Sequence, residues 1–199
     1  MEIKKLNTTI THIDKIFHIS DIHIRTLKRH KEYTEVFENL FLYLAQHATR
    51  NSICVVTGDI VHSKLDMSPE LINMLTKFFN GFEIPTIVML GNHDMNLNNL
   101  YRMDALSPIL DVIQNSNIHF IKDNGLFEMA GVVFNHMAVD VAPKNYIKAS
   151  EYKAAYKIAL HHGAVHNAKT DIGFKISNEH VTTDLFEGHD LTLLGDIHK

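Results

Sequence analysis

Five short apolar runs in this chain each end directly in a polar cluster, and the clusters share a few residue types. The clusters are Asp21-Ile22-His23, Gly58-Asp59-Ile60-Val61-His62, Gly91-Asn92-His93-Asp94, His161-His162-Gly163 and Gly195-Asp196-Ile197-His198. A short apolar run that stops at a turn residue is typical of a buried strand. In α/β proteins, ligands collect at the sheet edge just beyond the carboxyl ends of the strands. The pattern therefore predicts strands that bring aspartate, histidine and asparagine side chains to one site.

Helix-like segments alternate with these strands, which favours an α/β layer architecture. Apolar residues recur at helical spacing between Tyr33 and Thr49, and Ser68 with Pro69 begins a helix that runs through Phe79. A third helix, interrupted near Ser107-Pro108, is expected from Tyr101 to Ile113, and the second half of the chain begins with short strands. A length of 199 residues suits one domain with a real core, so a single domain is expected over residues 1–199.

Composition excludes several classes of protein. No apolar run approaches the roughly 18 residues that a membrane span needs, and the N-terminus lacks the apolar segment of a signal peptide. The single cysteine, Cys54, cannot form an internal disulfide, which fits a reducing compartment. We therefore expect an intracellular protein, cytoplasmic or nuclear, that is not secreted and has no membrane partner. The net charge of −4 argues against a protein that coats nucleic acid over its whole surface.

The five clusters together offer carboxylates, imidazoles and one amide, which suit divalent ions such as manganese, iron or zinc. No thiol is among them, so a cysteine-based structural zinc site is excluded. A single aspartate or histidine after a strand is usually a cap or a turn residue. Five in series, three of them with a Gly-Asp or Gly-Asn turn, favour a metal site.

The motifs resemble those of the calcineurin-like metallophosphoesterase superfamily, whose signature is DxH, GDxxx, GNHD, a later H and GHxH. Within that superfamily the chain is most similar to the SbcD-like DNA-repair exonuclease, the nuclease subunit of an SMC-like ATPase–nuclease complex. Three stretches carry the finer likeness: Gly58 to Pro69, Ile84 to Asp94, and Ala159-Leu160-His161-His162-Gly163. The resemblance implies an α/β sandwich of two mixed β-sheets flanked by helices, with a two-metal phosphoesterase site.

The resemblance also implies a role for each motif residue. One metal ion would be held by Asp21, His23, Asp59 and His198, and the second by Asn92, His161 and Asp196, with Asp59 bridging both. His161 is preferred over His162 because the ligand in the family directly follows the strand. Manganese is the expected metal, with magnesium, iron or zinc as alternatives.

Two further histidines would act on the substrate. The resemblance implies that His93 protonates the leaving oxygen or stabilises the pentacovalent phosphate, and that His62 positions the phosphate. The alternative is that each histidine contacts no substrate and only orients a metal ligand through a hydrogen bond.

The sequence departs from the family in two places. The last motif is Gly-Asp-Ile-His where Gly-His-x-His is usual, so Asp196 supplies a harder oxygen donor and adds negative charge. A degenerate site that binds one metal is the alternative. The sequence given ends at Lys199, so we expect a C-terminally truncated domain that lacks the closing strands and DNA-binding cap of the family.

Phosphoester hydrolysis is the function that the two-metal site suggests, and the resemblance implies a metal-dependent DNA exonuclease and endonuclease of DNA repair or recombination. A nucleotide phosphodiesterase or phosphoprotein phosphatase would share every metal motif, and an interaction module with a vestigial site is the non-enzyme alternative. The expected partners are DNA, an SMC-like ATPase subunit and a second copy of the chain. The homodimer would use apolar faces on the helix from Pro69 to Phe79 and the one from Leu100 to Ile113.

Overall fold

The computed structural model describes residues 2–169, 173, 175–178 and 180–197. The first half contains, in chain order, β1 (Ile3–Lys5), β2 (Lys15–Ile19), α1 (His30–His47), β3 (Ser52–Thr57), α2 (Pro69–Asn80), β4 (Thr86–Met89), α3 (Ser107–Leu110) and β5 (Ile118–Phe120). The second half contains β6 (Gly125–Met129), β7 (Val132–Met137), β8 (Tyr156–His162) and β9 (Leu191–Gly195), together with three short 3-10 helices.

The strands form two sheets. One has the order β2-β3-β4-β5, and all of its described pairs are parallel. The other has the order β1-β6-β7-β8-β9 and is mixed, because β6 and β7 pair antiparallel while the remaining neighbours are parallel. The predicted α/β sandwich of two sheets flanked by helices is confirmed.

Strand β3 shows why the sheets stack in a sandwich, since all six of its residues are buried. Successive side chains of a strand point to opposite faces. Ile53 and Val55 pack against apolar residues of the second sheet, whereas Cys54 and Val56 pack beneath the helices. A strand with apolar residues on both faces must lie in the interior of a layered fold.

Helices α1 and α2 cover the outer face of the four-stranded sheet. Helix α2 begins as the sequence predicts, with Pro69 in its first turn and the Ser68 hydroxyl accepting the Leu71 N–H at 3.2 Å. A cluster of aromatic rings joins the two helices, with the Phe37 and Phe78 ring centroids 4.6 Å apart. No described helix is long and apolar enough to cross a membrane.

The third predicted helix is wrong in extent, because only Ser107–Leu110 is helical within the expected range. The Asp104 carboxylate explains the late start, since it accepts the backbone N–H groups of Leu106 and Ser107 at 3.0 and 2.7 Å. A buried side chain that bonds its own following backbone begins a helix at that point. Strand β1 was not predicted; it pairs with β6 at the sheet edge.

The apolar face of α2 that was expected to meet a second copy is instead part of the core. Each of these residues is at most 8% exposed: Leu71, Met74, Leu75, Phe78 and Phe79. The expectation of a free apolar face on this helix is therefore wrong. In the second segment expected to form the homodimer, by contrast, Leu100 and Met103 are largely exposed. The homodimer stays a prediction that α2 no longer supports.

This packing predicts unequal costs for two truncations on α2. Leu75 is fully buried and Ile72 is 41% exposed. We expect Leu75→Ala to lower the free energy of unfolding by about 2–5 kcal/mol, because a cavity replaces buried methyl groups. Ile72→Ala is the matched control and should cost less than about 1 kcal/mol. Urea unfolding at one pH measures the free energy of unfolding of both variants. Equal losses of stability would contradict the packing of the Leu75 face of α2 in the core.

Candidate metal centre

The Asp59 carboxylate lies at the centre of the polar cluster and is fully buried. Its Oδ1 accepts the His93 backbone N–H at 2.8 Å and lies 3.3 Å from Nε2 of His162. Its Oδ2 lies 3.5 Å from Nε2 of His23 and accepts no hydrogen bond within the part of the chain that the structure describes. A buried carboxylate oxygen without a donor is costly unless a cation faces it. The environment of Asp59 therefore fits a bound metal ion.

Potential ligand atoms converge around Asp59 in two compact groups. The first consists of Asp21, Asp59 and His162, and the second of His23, His62 and His93. Within each group the ligand atoms lie within 4.8 Å of one another. Oxygen and imidazole donors of this kind suit divalent first-row ions, as the sequence predicted.

His162 is oriented for ligation by the end of β3. Its Nδ1–H donates to the Thr57 carbonyl at 2.7 Å, and Nε2 lies 3.0 Å from Oδ1 of Asn92. A carbonyl can only accept, so this hydrogen bond fixes the proton on Nδ1 of the neutral ring and leaves Nε2 for a metal. The same contact joins the carboxyl ends of the two sheets, because Thr57 ends β3 and His162 ends β8.

The structure brings His162, and not His161, to the cluster, which corrects the sequence-based choice. Consecutive residues of a strand face opposite sides, so His161 points to the outer face of the second sheet. Its Nδ1–H donates to the Met137 carbonyl at 3.0 Å, and its ring lies against Tyr146 and Phe186, at centroid distances of 5.6 and 6.0 Å. The expected ligand role of His161 therefore passes to His162.

The last motif reaches the site through its backbone. The Asp196 N–H donates to both carboxylate oxygens of Asp21, at 3.0 and 3.1 Å. The Asp196 carboxylate belongs to neither of the two compact groups of described residues. His198 lies outside the described residues, so its predicted ligand role stays a prediction.

The two predicted catalytic histidines lie together beside His23. His93 donates its Nδ1–H to the His62 carbonyl at 2.7 Å, and the rings of these two residues have centroids 5.7 Å apart. The His93 centroid lies 4.8 Å from that of His23. Since Nδ1 of His93 is engaged, its Nε2 is the atom that can exchange a proton with a substrate.

Backbone strain is concentrated at this site. Seven described non-glycine residues have positive φ, and four of them are predicted ligands: Asp21 (57°), His23 (50°), Asp59 (52°) and Asp196 (71°). The left-handed region costs a non-glycine residue about 1–3 kcal/mol, and such strain persists where the surroundings enforce it, often at functional sites. The fold thus holds four site residues in a conformation that they would not adopt alone.

Two glycines allow the motif loops to approach closely. Gly58 has φ of 89°, and a Cβ there would lie 2.6 Å from the Gly91 nitrogen and 2.8 Å from Nδ1 of His162. A Cβ at Gly91 would overlap the Asp59 carboxylate. No larger residue fits at either point without moving the ligands.

Asp94, predicted only as a turn residue, joins two of the motif loops. Its Oδ1 accepts the N–H groups of Ile60 and Val61 at 3.0 Å each, and its Oδ2 accepts the Gly91 N–H at 2.9 Å. Burial raises the pKa of Asp94 to about 7, although the N–H groups of Val61 and Gly91 oppose the rise. Lys64 ties the same region together by donating to the Asn92 carbonyl at 3.1 Å.

The electrostatics of Asp59 and His162 favour a positive charge between them. Burial alone would lower the pKa of His162, but the hydrogen bond and charge of Asp59 outweigh burial and raise this pKa to about 9. Burial would likewise raise the pKa of Asp59, and His162 with the His93 N–H instead lowers it. Without a metal, a proton on His162 supplies the positive charge that Asp59 requires.

Comparison with known proteins agrees with this site. A family model for calcineurin-like phosphoesterases matches residues 14–199. The chain belongs to this family of metal-dependent phosphoester hydrolases.

Two individual proteins are similar to this chain. It is 41% identical over 209 residues to the uncharacterized protein R555 of Acanthamoeba polyphaga mimivirus; the match covers 99% of this chain but only 16% of that protein's length. A crystal structure of the Pseudomonas putida nuclease MPE matches with a TM-score of 0.42 and 13% identity, over 81% of this chain and 67% of that one.

The orientation of strand β8 predicts opposite effects for its two histidines. We expect His162→Gln to lose at least one of the bound metal ions, because the imidazole facing Asp59 and Asn92 is removed. His161→Gln is the matched control on the outer face and should keep the parent's metal content. Elemental analysis after gel filtration in manganese measures both. Metal loss from His161→Gln alone would contradict the assignment of His162.

The raised pKa of His162 predicts a pH dependence for the metal-free chain. The folded pKa lies above the ordinary value near 6.5, so this stabilisation is complete below about pH 6.5 and disappears as the pH rises through about 9. We expect unfolding in a chelator to show a loss on the order of 1–3 kcal/mol across that window. This loss of stability with rising pH should persist in His161→Gln and disappear in His162→Gln. An unchanged pH dependence of the free energy of unfolding in His162→Gln would contradict the role of His162.

Proposed function

We propose that this chain is a two-metal phosphodiesterase domain that acts on DNA, as an exonuclease and endonuclease in repair or recombination. The observation that carries the proposal is the buried Asp59 carboxylate, which belongs to one group of ligand atoms and lies 3.5 Å from His23 of the other. Family membership supports phosphoester hydrolysis, and the likeness of three sequence stretches to SbcD-like nucleases supports DNA as the substrate.

The residues that would hold the ions follow from the geometry. Asp21, Asp59 and His162 form one group of donors, His23 faces the second oxygen of Asp59, and the Asn92 amide oxygen lies beside His162. We include Asp196 and His198 as proposed ligands on the resemblance alone. Bound divalent ions would polarise the phosphoryl group and supply hydroxide near neutral pH. The Asp196 carboxylate, in place of the histidine usual in the family, would be a harder donor that favours manganese, which we propose as the metal.

His93 and His62 would act on the substrate beside this centre. The His62 carbonyl accepts the Nδ1–H of His93, so a His93 imidazolium would give its Nε2 proton to the leaving oxygen of the ester and become a neutral ring with its remaining proton on Nδ1. The His62 ring, stacked near it, would orient the phosphate. Both side chains are partly exposed, as groups that contact a substrate must be.

The partners remain part of the proposal. The chain spans about one sixth of the length of the curated relative it matches, so the whole protein's activity and partners are inferred and not observed. We propose DNA and an SMC-like ATPase subunit as partners, and a separate cap as the source of further DNA contacts. The buried free thiol of Cys54 is consistent with an intracellular, reducing location.

A comparison of the rates of hydrolysis of several substrates tests the proposed function. In manganese, we expect hydrolysis of bis-nitrophenyl phosphate, together with degradation of linear duplex DNA that is faster than hydrolysis of cyclic nucleotides or a phosphopeptide. Activity on the cyclic nucleotides alone would contradict the proposal and identify a nucleotide phosphodiesterase. Activity on the phosphopeptide alone would identify a phosphatase. No activity on any substrate, with metal bound, would indicate a binding module.

The role of His93 predicts a separation of chemistry from metal binding. We expect His93→Ala to lower kcat for bis-nitrophenyl phosphate by roughly 10²–10⁴-fold, because the proton donor is lost. Its metal content should stay close to that of the parent. His119→Ala, at a partly buried histidine of β5, is the control and should keep full activity. Loss of both metals in His93→Ala would make His93 a ligand and overturn its proposed role.

A further inference from the structure

The loop that carries Asp21 and His23 is fixed on one side by the loop that follows β3. Three of its backbone N–H groups donate to three successive carbonyls, at 3.2, 2.9 and 2.9 Å: Asp21, His23 and Ile24 to Gly58, Asp59 and Ile60, respectively. The carbonyl of His23 is held from a different element, because it accepts the hydroxyl of Tyr33 in α1 at 2.9 Å. A side chain of a helix therefore bonds directly to the backbone of a proposed metal ligand.

Tyr33 itself is held in place by the helix. It is the fourth residue of α1, and its N–H donates to the Arg29 carbonyl at 3.0 Å. Its half-buried ring lies 6.1 Å from the Phe37 ring, and Phe37 packs in turn on Phe78 of α2. Because a tyrosine side chain has only two torsions, a ring held in this way gives its hydroxyl a fixed position.

The conformation of His23 depends on this restraint. Its φ of 50° lies in the left-handed region, which a non-glycine residue keeps only where the surroundings enforce it. In this conformation Nε2 of its ring lies 3.5 Å from Oδ2 of Asp59. The hydrogen bond from its N–H restrains φ, and the one to its carbonyl restrains ψ. If the second bond were lost, His23 would also adopt conformations in which its ring leaves Asp59.

The Tyr33 hydroxyl matters less to the fold than to this loop. The buried residues of α1 are Phe37 and Leu44. The contact of the Tyr33 ring with Phe37 does not need the hydroxyl. Since a single hydrogen bond makes only a modest net contribution to stability, the helix should remain packed without this one.

We propose that Tyr33 is a positioning residue of the metal centre, whose hydroxyl keeps the His23 imidazole facing Oδ2 of Asp59 before an ion binds. Preorganised ligands lose less freedom on binding, so the hydroxyl raises the affinity for the ion that His23 holds. The inference rests on the proposed function, in which His23 and Asp59 bind a divalent ion. It adds a contribution of α1 to that site.

A conservative substitution tests the proposal through metal binding. Tyr33→Phe keeps the ring and removes only the hydroxyl. In a manganese titration followed by electron paramagnetic resonance, we expect the Kd of one ion to rise roughly 10-fold, because a group that orients a ligand is lost. Tyr146→Phe is the matched control, since its hydroxyl donates to the Ala138 carbonyl at 3.1 Å, beside His161 on the outer face of the second sheet. This variant should keep the manganese affinities of the parent.

Hydrogen exchange measures the positioning of His23 without a metal. In a chelator, the His23 N–H, which donates to the Asp59 carbonyl, should exchange at least about fivefold faster in Tyr33→Phe, because the loop opens more often. The N–H groups of β3 should change less than that of His23. This difference separates a local opening of the loop from a loss of overall stability.

Unchanged manganese affinity or unchanged His23 exchange in Tyr33→Phe would overturn the proposal. Equal losses of affinity in Tyr33→Phe and Tyr146→Phe, or a Tyr33→Phe chain that does not fold, would assign the hydroxyl to overall stability and overturn it as well. Weaker manganese binding in Tyr33→Phe, together with a parent that binds manganese but hydrolyses no phosphodiester, would support the positioning role and contradict the proposed function.

Discussion

The buried carboxylate of Asp59 is the interaction on which the site depends. It lies where the ends of both sheets meet, with His162 of one sheet and His23 and His93 of loops from the other around it. Such a carboxylate is stable only beside positive charge. A proton on His162 can provide that charge in the absence of metal, and divalent ions would provide more of it. Asp59 therefore links the stability of the site to its chemistry.

The surrounding backbone is built to keep these groups in place. Left-handed conformations at four predicted ligands and close contact at Gly58 and Gly91 are locally unfavourable. The hydrogen bonds of Asp94 to two motif loops oppose that strain. Preorganised ligands have less freedom to lose when an ion binds. The same rigidity explains why side chains from distant parts of the sequence can form one centre.

The sequence predicted the motifs and every described strand except β1, because a short apolar run that ends at a turn residue leaves a clear signal. It predicted the wrong histidine of β8, because the choice of His161 rested on the family pattern and both faces of the end of that strand are buried. The shared face of Ile158, Leu160 and His162 was the available signal. The overlong third helix failed for a different reason: apolar spacing suggested a helix, but Asp104 bonds the local backbone and delays its start.

We propose that Asp59 would hold both of two divalent ions. Manganese titration followed by electron paramagnetic resonance measures both their number and their coupling. The account predicts two ions per chain with the spectrum of a coupled pair in the parent, and at most one uncoupled ion in Asp59→Asn, because two cations roughly 3.5–4 Å apart need an anion between them. Two uncoupled ions in the parent, or an unchanged coupled pair in Asp59→Asn, would contradict it.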